Sequence, residues 1–163
     1  MSPRIELLQA MPVFGGVRDK ALAFLLAVSS QRRLAAGEFF FREDDEAQSM
    51  FVLEAGQVAV VKERNGHQYV LSHMGKGDCF GEMSLMDLRH RSASVVALEA
   101  CQAIELSTAN LYMLYQDDLE QFTIIQMNMA REVSRRLRDA DERLFQAKIG
   151  SVAEGSDYVF RLT

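Results

Sequence analysis

The sequence is poor in the residues that build metal centres and disulfide bonds. Among its 163 residues it has two cysteines, Cys79 and Cys101, and three histidines, His67, His73 and His90. Two thiols are too few for an iron–sulfur cluster or for a zinc site made of thiolates alone, and the histidines show no ligand spacing. We therefore expect no metal site. Both cysteines lie in apolar, strand-like stretches, which predicts reduced and buried thiols.

The chain also lacks a long apolar run and an excess of positive charge. No apolar run approaches the length of a membrane span, and residues 1–4 do not have the layout of a secretory signal, so a cytoplasmic protein without membrane contact is expected. The formal net charge of −5 argues against direct DNA binding, because a polyanion requires a basic footprint. The arginines at 131–138 are interleaved with acidic residues, which indicates a solvated, ion-paired helix face.

Glycine turns divide residues 32–106 into short stretches rich in β-branched residues. The pair Asn65-Gly66 lies between two of these stretches, 57–62 and 68–73. It predicts a β-hairpin, because both residues tolerate a positive φ. Turns at this density predict roughly six to eight short strands in a jelly-roll double sheet or barrel.

Helical patterns flank this β region on both sides. In the N-terminal segment, 1–31, an apolar face from Ile5 to Met11 ends at Pro12, and Asp19 can begin a second helix. In the C-terminal segment, 107–147, Ser107 with the following threonine is a plausible helix cap. A longer helix begins at about Asp117, where acidic residues suit the helix N-terminus.

The long helix carries a narrow apolar stripe over about thirty residues, close to a coiled-coil seam. Such a stripe needs a surface to cover it, either the chain's own β region or a second copy. The stripe consists of Met129, Val133, Leu137, Ala140, Leu144 and Ala147.

The remaining segment, 148–163, is expected to be a tail, with Gly150, Gly155 and Ser156 in a loop and 158–162 as a short strand or docking segment. The whole chain, 1–163, is thus expected to be a single domain.

Residues 80–97 combine features that suit a sugar phosphate. Gly81 allows close approach of a ligand to the backbone, and the short helical turn after it offers free N–H groups to an anion. Arg91 can hold a phosphate with two parallel hydrogen bonds, while Glu82 can accept hydrogen bonds from ribose hydroxyls. The alternative is a structural Glu82–Arg91 ion pair on a surface loop. The agreement of the glycine, the small residues and the spacing favours binding.

This stretch resembles the phosphate-binding cassette of cyclic nucleotide-binding domains in the catabolite-activator and FNR-like regulators. Residues 80–82, Phe-Gly-Glu, and 91–95, Arg-Ser-Ala-Ser-Val, match its pattern, and the resemblance extends over roughly residues 5–147. Two departures stand out. His90 replaces a common proline, which predicts a less rigid loop, and Asp44 replaces a common glycine after 41–43, which predicts a different turn.

The resemblance implies a non-catalytic β-barrel receptor for a 3′,5′-cyclic nucleotide, cAMP or cGMP, with a cassette at 80–94. Glu82 would take the ribose 2′-hydroxyl, Arg91 the cyclic phosphate, and Ser92 would add a contact beside it. Ser94 would help to hold the loop. Backbone N–H groups would come from Gly81, Met83 and Ser84.

The identity of the base stays open. The two residues of the long helix that contact adenine in the catabolite-activator type correspond to Ala140 and Asp141. Ala140 cannot form a side-chain hydrogen bond, and Asp141 can only accept one. Ser92 would suit the amino group of a syn guanine, which keeps cGMP open.

The same resemblance implies how ligand binding would be transmitted to other proteins. The ligand would shift the long helix between open and closed positions, and the helix would pair two copies into a homodimer. In the transcription factors of this family a helix-turn-helix domain follows that helix directly. The sixteen residues after Ala147 are too few for one, so a stand-alone domain with a separate output protein is expected.

Three alternatives compete with the receptor. A degenerate domain could keep the barrel and serve as a dimerisation or docking scaffold without any nucleotide. A small cupin-like oxygenase would need clustered histidine and carboxylate ligands, which the three histidines do not supply. A haem-based sensor would need an axial ligand that the sequence does not place.

Overall fold

The architecture is that of a computed structural model, which describes residues 2–153. Short helices precede eight strands, one short helix lies between the sixth and seventh strands, and two further helices follow the last strand. The helices are α1 (Pro3–Gln9), α2 (Asp19–Val28), α3 (Glu82–Asp87), α4 (Thr108–Asp117) and α5 (Leu119–Ala153), with a 3₁₀ turn at Pro12–Phe14. The strands are β1 (Ser30–Leu34), β2 (Phe39–Phe41), β3 (Ser49–Ala55), β4 (Val58–Arg64), β5 (His67–Met74), β6 (Cys79–Phe80), β7 (Ser94–Ala97) and β8 (Cys101–Ser107).

The strands form two antiparallel four-stranded sheets. One sheet has the order β1-β8-β3-β6 and the other has the order β2-β7-β4-β5. Neighbouring strands in each sheet are mostly distant in sequence, as the pairing of β3 with β8 from Ser49↔Ser107 onward illustrates. These crossed connections make the jelly roll that the sequence predicted.

The alternation of side chains along β3 and β8 separates two apolar layers. One set of residues, including Phe51, Leu53 and Ala103, faces the opposite sheet. It packs with Phe80 of β6 in the same sheet and with Val95 of β7 in the opposite sheet. The intervening residues face the other way and pack against the helices. That second layer contains, among others, Met50, Val52, Ile104, Leu106, Phe14, Leu22, Leu114 and Ile125.

The predicted hairpin and helix starts are confirmed. Asn65 and Gly66 have φ values of 54° and 75° between β4 and β5, as a two-residue hairpin turn requires. The helix α2 begins at Asp19. Ser107 caps α4: its hydroxyl accepts the Asn110 N–H, and the Asn110 side chain accepts the Ser107 N–H in return.

Residues 2–129 form one compact unit, and the described residues from 130 onward belong to a second. Among the described residues the second unit is the C-terminal part of α5. The expectation of a loop at Gly150 is wrong, because α5 continues through this glycine to Ala153. A single glycine costs a long helix only about 1 kcal/mol. Gly155, Ser156 and the expected strand at 158–162 lie outside the described residues.

The turn at Asp44 does not need a new geometry. Asp44 itself has a φ of 70°, in the left-handed region that glycine adopts most readily and that aspartate tolerates better than most residues. Cys79 and Cys101 are buried and neither forms a disulfide bond, as predicted. Within residues 2–153 there is no helix whose length and apolar character would let it cross a bilayer.

Candidate functional site

Gly81 forms the turn between β6 and α3. Its φ and ψ are 81° and 0°, in the left-handed region, where a side chain would be strained. A Cβ atom at this position would lie 2.6 Å from Nη1 of Arg91 and 3.3 Å from the Phe41 ring. Two features therefore require glycine at position 81, the backbone conformation and the close approach of Arg91.

The side chain of Arg91 is buried and bonded to two backbone carbonyls. Only 4% of the residue is exposed. Its Nη1 donates to the Gly81 carbonyl oxygen at 3.0 Å, and its Nη2 donates to the Ser49 carbonyl oxygen at 2.6 Å. The guanidinium thus links the glycine turn of the cassette to the start of β3.

Two aromatic rings border the same guanidinium. Its central carbon lies 4.0 Å from the centroid of Phe41 and 6.0 Å from that of Phe51, within the range of a cation–π interaction. Burial lowers the pKa of Arg91, and the nearby carboxylates of Asp45, Glu105 and Glu82 act in the opposite direction. An arginine keeps its proton in such an environment, so a positive charge is held inside the protein.

Arg91 retains hydrogen-bonding capacity for an anion. Its Nε is buried and has no hydrogen-bond partner among residues 2–153. A guanidinium carries five N–H donors, of which two are used by Ser49 and Gly81. A buried donor left without a partner costs about 1–3 kcal/mol, and an oxyanion would remove that cost. The residues of this turn therefore fit a phosphate group.

The backbone of Arg91 is fixed by the turn at 42–45. The Arg91 N–H donates to the Asp45 carbonyl oxygen, and the Asp44 N–H donates to the Arg91 carbonyl oxygen, both at 2.9 Å. The His90 Nδ1 lies 2.8 Å from the Asp44 carbonyl oxygen. The expected loss of rigidity at His90 is therefore compensated, because the imidazole ties the loop to the same turn.

Ser94 holds this turn at 42–45 from the other side. Its hydroxyl oxygen accepts the Glu43 N–H at 2.8 Å. On the opposite flank the Ser49 hydroxyl donates to the Glu105 carboxylate at 2.9 Å. Both serines thus position the segments whose backbone holds Arg91.

The other predicted residues lie on α3 or just after Arg91. Glu82 is 1% exposed and Ser84 is 6% exposed, so both face inward at the first turn of α3. Met83 faces outward, with 45% of its surface exposed, and Ser92 is exposed too. The residue that precedes α3 is Gly81, which has no side chain to cap the helix.

Sequence reasoning missed the residues that hold the arginine. Phe41, Ser49 and Glu105 lie 14 to 50 residues from Arg91 in sequence and belong to three different strands. The sequence did contain one signal for this environment, the three consecutive aromatic residues Phe39–Phe41 beside the turn at 44–45. Three consecutive residues of a strand cannot all lie on one face, so at least one of these rings had to contact something other than the core on that face. Ser49 acts through its carbonyl oxygen, which no side-chain pattern could indicate.

Residues 31–118, more than half of the chain, match the family model described as cyclic nucleotide-binding domain. The chain belongs to this family. In the described part of this cyclic nucleotide-binding domain, no three histidine, cysteine, aspartate or glutamate residues are grouped so as to hold a metal ion.

Several known proteins are similar to the domain. The cyclic AMP receptor protein of Thermus thermophilus is 29% identical over 138 residues, which are 84% of this chain and 62% of that protein. The crystal structure of the catabolite activator protein from that organism superposes with a TM-score of 0.74 at 29% identity, covering 84% of this chain and 63% of that one.

Two other structures extend the comparison. A cyclic nucleotide-binding domain from Methylobacillus flagellatus, 20% identical, gives a TM-score of 0.77 over 96% of this chain and 85% of that one, and it supports the fold. The c-di-GMP responsive regulator CLP of Xanthomonas campestris, 25% identical, gives a TM-score of 0.67 over 79% of this chain and 64% of that one. The chain thus spans about 62% of the length of the Thermus relative.

Proposed function

We propose that this cyclic nucleotide-binding domain is a non-catalytic receptor for a 3′,5′-cyclic nucleotide, cAMP or cGMP. The observation that carries the proposal is the buried, positively charged Arg91, whose Nε has no partner among the described residues. Its position beside the glycine turn supports a phosphate as the missing partner. A cytoplasmic location, expected from the sequence, stays a prediction.

Each predicted site residue has a separate role in this proposal. Arg91 binds the cyclic phosphate, and the N–H groups of Gly81, Met83 and Ser84 approach it from the first turn of α3. Glu82 accepts the ribose 2′-hydroxyl, and its burial strengthens that hydrogen bond. Ser92 adds a contact beside the phosphate.

The base is the least defined part of the ligand. Ala140 offers no hydrogen bond, and Asp141 offers only an acceptor. The relatives themselves differ: one is named for cyclic AMP and another for c-di-GMP. The ligand is therefore defined here by its ribose and cyclic phosphate, and cAMP and cGMP remain the two candidates.

Signalling requires that the ligand change another part of the protein. We expect it to favour one position of α5 over another, which needs a difference in affinity between the two states. The exposed residues Leu137 and Leu144, with exposed fractions of 61% and 56%, support a homodimer formed along α5. A separate output protein would then read the dimer.

Isothermal titration calorimetry with cAMP, cGMP and c-di-GMP tests the proposal. Saturable binding of cAMP or cGMP is expected for the unaltered chain. Arg91→Lys keeps the charge but loses the planar fork of donors, and should weaken binding by about tenfold to a hundredfold. Arg89→Lys, two residues away on the exposed loop, is the matched control and should bind normally.

A second function is favoured by one specific observation. Both terminal nitrogens of Arg91 already donate to carbonyl oxygens of the protein, as they would in a domain that has lost its ligand and kept the arginine for structure. Such a scaffold would dimerise or dock to a partner without nucleotide. It predicts no heat with any of the three nucleotides, and a loss of stability in Arg91→Lys with no other effect.

A further inference from the structure

A pocket lies between the edge strands β1 and β2, outside the cassette. Its volume is about 520 Å³, and it is lined by three arginines, Arg32, Arg33 and Arg42, together with Glu38 and Phe39. The two strands are the terminal members of their sheets, so the pocket occupies the open edge of the jelly roll. Its volume lies in the range of small-molecule sites.

The arginines of this pocket are only partly neutralised. Among residues 2–153, the guanidinium groups of Arg33 and Arg42 have no carboxylate oxygen within 4.0 Å, and the one ion pair of Arg32 is a 3.8 Å approach of its Nε to Glu105. Glu38 lines the pocket but accepts the Ala35 N–H at 2.7 Å. Three arginines against one glutamate leave the lining with a formal charge of +2, in a chain whose net charge is −5.

One of these guanidinium groups is held in place. The central carbon of Arg42 lies 3.8 Å from the ring centroid of Phe39. The backbone at the base of the side chain is fixed as well, because the backbone N–H of Arg42 donates to the Asp45 carboxylate at 2.8 Å. Stacking on a ring leaves the N–H groups in the guanidinium plane free to donate. Less conformational entropy is then lost when an anion binds.

We propose that Arg32, Arg33 and Arg42 form a second binding site, for a soluble ligand that carries a diphosphate group. Guanidinium groups match phosphate oxygens in pairs, and a lining charge of +2 matches a diphosphate better than a single phosphate. The pocket is concave and polar, with the buried Leu34 as its aliphatic member. It offers no exposed apolar anchor for a lipid surface, and the acidic chain would be repelled by an anionic membrane.

Arginines on edge strands also have a structural explanation, since charged side chains prevent edge-to-edge pairing of sheets. That role needs neither a pocket nor an arginine held over a ring. It also predicts no saturable binding, and titration therefore separates the two explanations.

The test is calorimetric titration of the full chain with inorganic pyrophosphate at about 50 mM and about 300 mM salt. We expect saturable binding that weakens at the higher salt, and orthophosphate should bind more weakly. Arg33→Gln/Arg42→Gln should lower the affinity at least about tenfold. Both residues are exposed, so the variant should fold, which circular dichroism would verify.

Two further variants locate the anion. Arg64→Gln changes an exposed arginine that is paired with Glu43 and should bind pyrophosphate normally. Arg91→Gln should also retain pyrophosphate binding if the anion occupies the β1–β2 pocket. The proposal is overturned if the unaltered chain shows no saturable binding, if Arg33→Gln/Arg42→Gln binds as tightly as the unaltered chain, or if only Arg91→Gln loses binding.

Discussion

The carbonyl oxygen of Gly81 accepts a hydrogen bond from Nη1 of Arg91 at 3.0 Å, and a Cβ atom at Gly81 would lie 2.6 Å from that same nitrogen. The glycine therefore both bonds the arginine and makes room for it. Because Arg91 is also stacked on Phe41, it cannot move aside without losing contacts. A side chain at position 81 would therefore displace the guanidinium group of Arg91.

Gly81→Ala should reduce both stability and nucleotide binding. The strained φ and the displaced guanidinium together should lower the free energy of unfolding by about 1–3 kcal/mol, measured by urea denaturation. Gly77→Ala is the control, because Gly77 has a similar φ of 91° and open space around it. It should cost only the backbone strain, about 1–2 kcal/mol, and leave binding intact. Equal loss of affinity in both variants would contradict the role of the Gly81–Arg91 contact.

Leu88→Gly should stabilise the protein. Leu88 ends α3 with a φ of 57° and 84% of its surface exposed, so it has backbone strain and little packing to lose. Relief of the strain should raise the free energy of unfolding by about 0.5–1 kcal/mol. Leu88→Ala removes the side chain but keeps the strain, and it should bring no gain. A Leu88→Gly variant that is less stable than the unaltered chain would show that Leu88 makes a stabilising contact.

The Cys101 thiol should make stability fall in alkaline solution. Burial raises the pKa of the Cys101 thiol above its ordinary value, and backbone hydrogen bonds at Gln57 and Glu99 only partly offset this rise. The folded state then keeps its proton where the unfolded chain has lost it, so stability is full below the unfolded pKa and declines as pH rises from about 8.5. Cys101→Ala should flatten the fall of melting temperature between about pH 8 and pH 10. An unchanged slope would contradict this assignment.

Leu137→Gln/Leu144→Gln should convert a dimer into a monomer. Both leucines are exposed on α5 and are seven residues apart, the spacing of a coiled-coil seam. Glutamine has nearly the helix propensity of leucine, so the helix itself should persist. Sedimentation velocity measures the mass, with Arg138→Gln/Arg143→Gln as the control on the same helix. A monomeric unaltered chain, or a double leucine variant that stays dimeric, would refute pairing along this stripe.

The sequence was informative where local rules dominate. Three features that depend on residues close together in sequence were predicted. They are the Asn65-Gly66 turn, the start of α2 at Asp19 and the cap at Ser107. The end of α5 was not, because Gly150 suggests a break that the surrounding helix formers override. The turn at Asp44 was also predicted wrongly, because an aspartate can adopt the glycine conformation.

In the candidate site, too, the local features were predicted from the sequence and the long-range contacts were not. Gly81, Glu82 and Arg91 were predicted from a motif that lies within residues 80–95. The environment of Arg91 depends on Phe41 in β2, Ser49 in β3 and the Asp44–Asp45 backbone, which the jelly-roll pairing of distant strands brings together. No spacing in the sequence encodes a bond to a carbonyl oxygen, so this half of the site required the three-dimensional arrangement.

Calorimetric titration of the unaltered chain and of Arg91→Lys with cAMP and cGMP tests the central claim most directly. The account predicts saturable binding of one of the two nucleotides, and an affinity at least about tenfold lower in Arg91→Lys while Arg89→Lys binds normally. The absence of heat with both nucleotides in a chain that circular dichroism shows to be folded would contradict it, as would equal binding by Arg91→Lys.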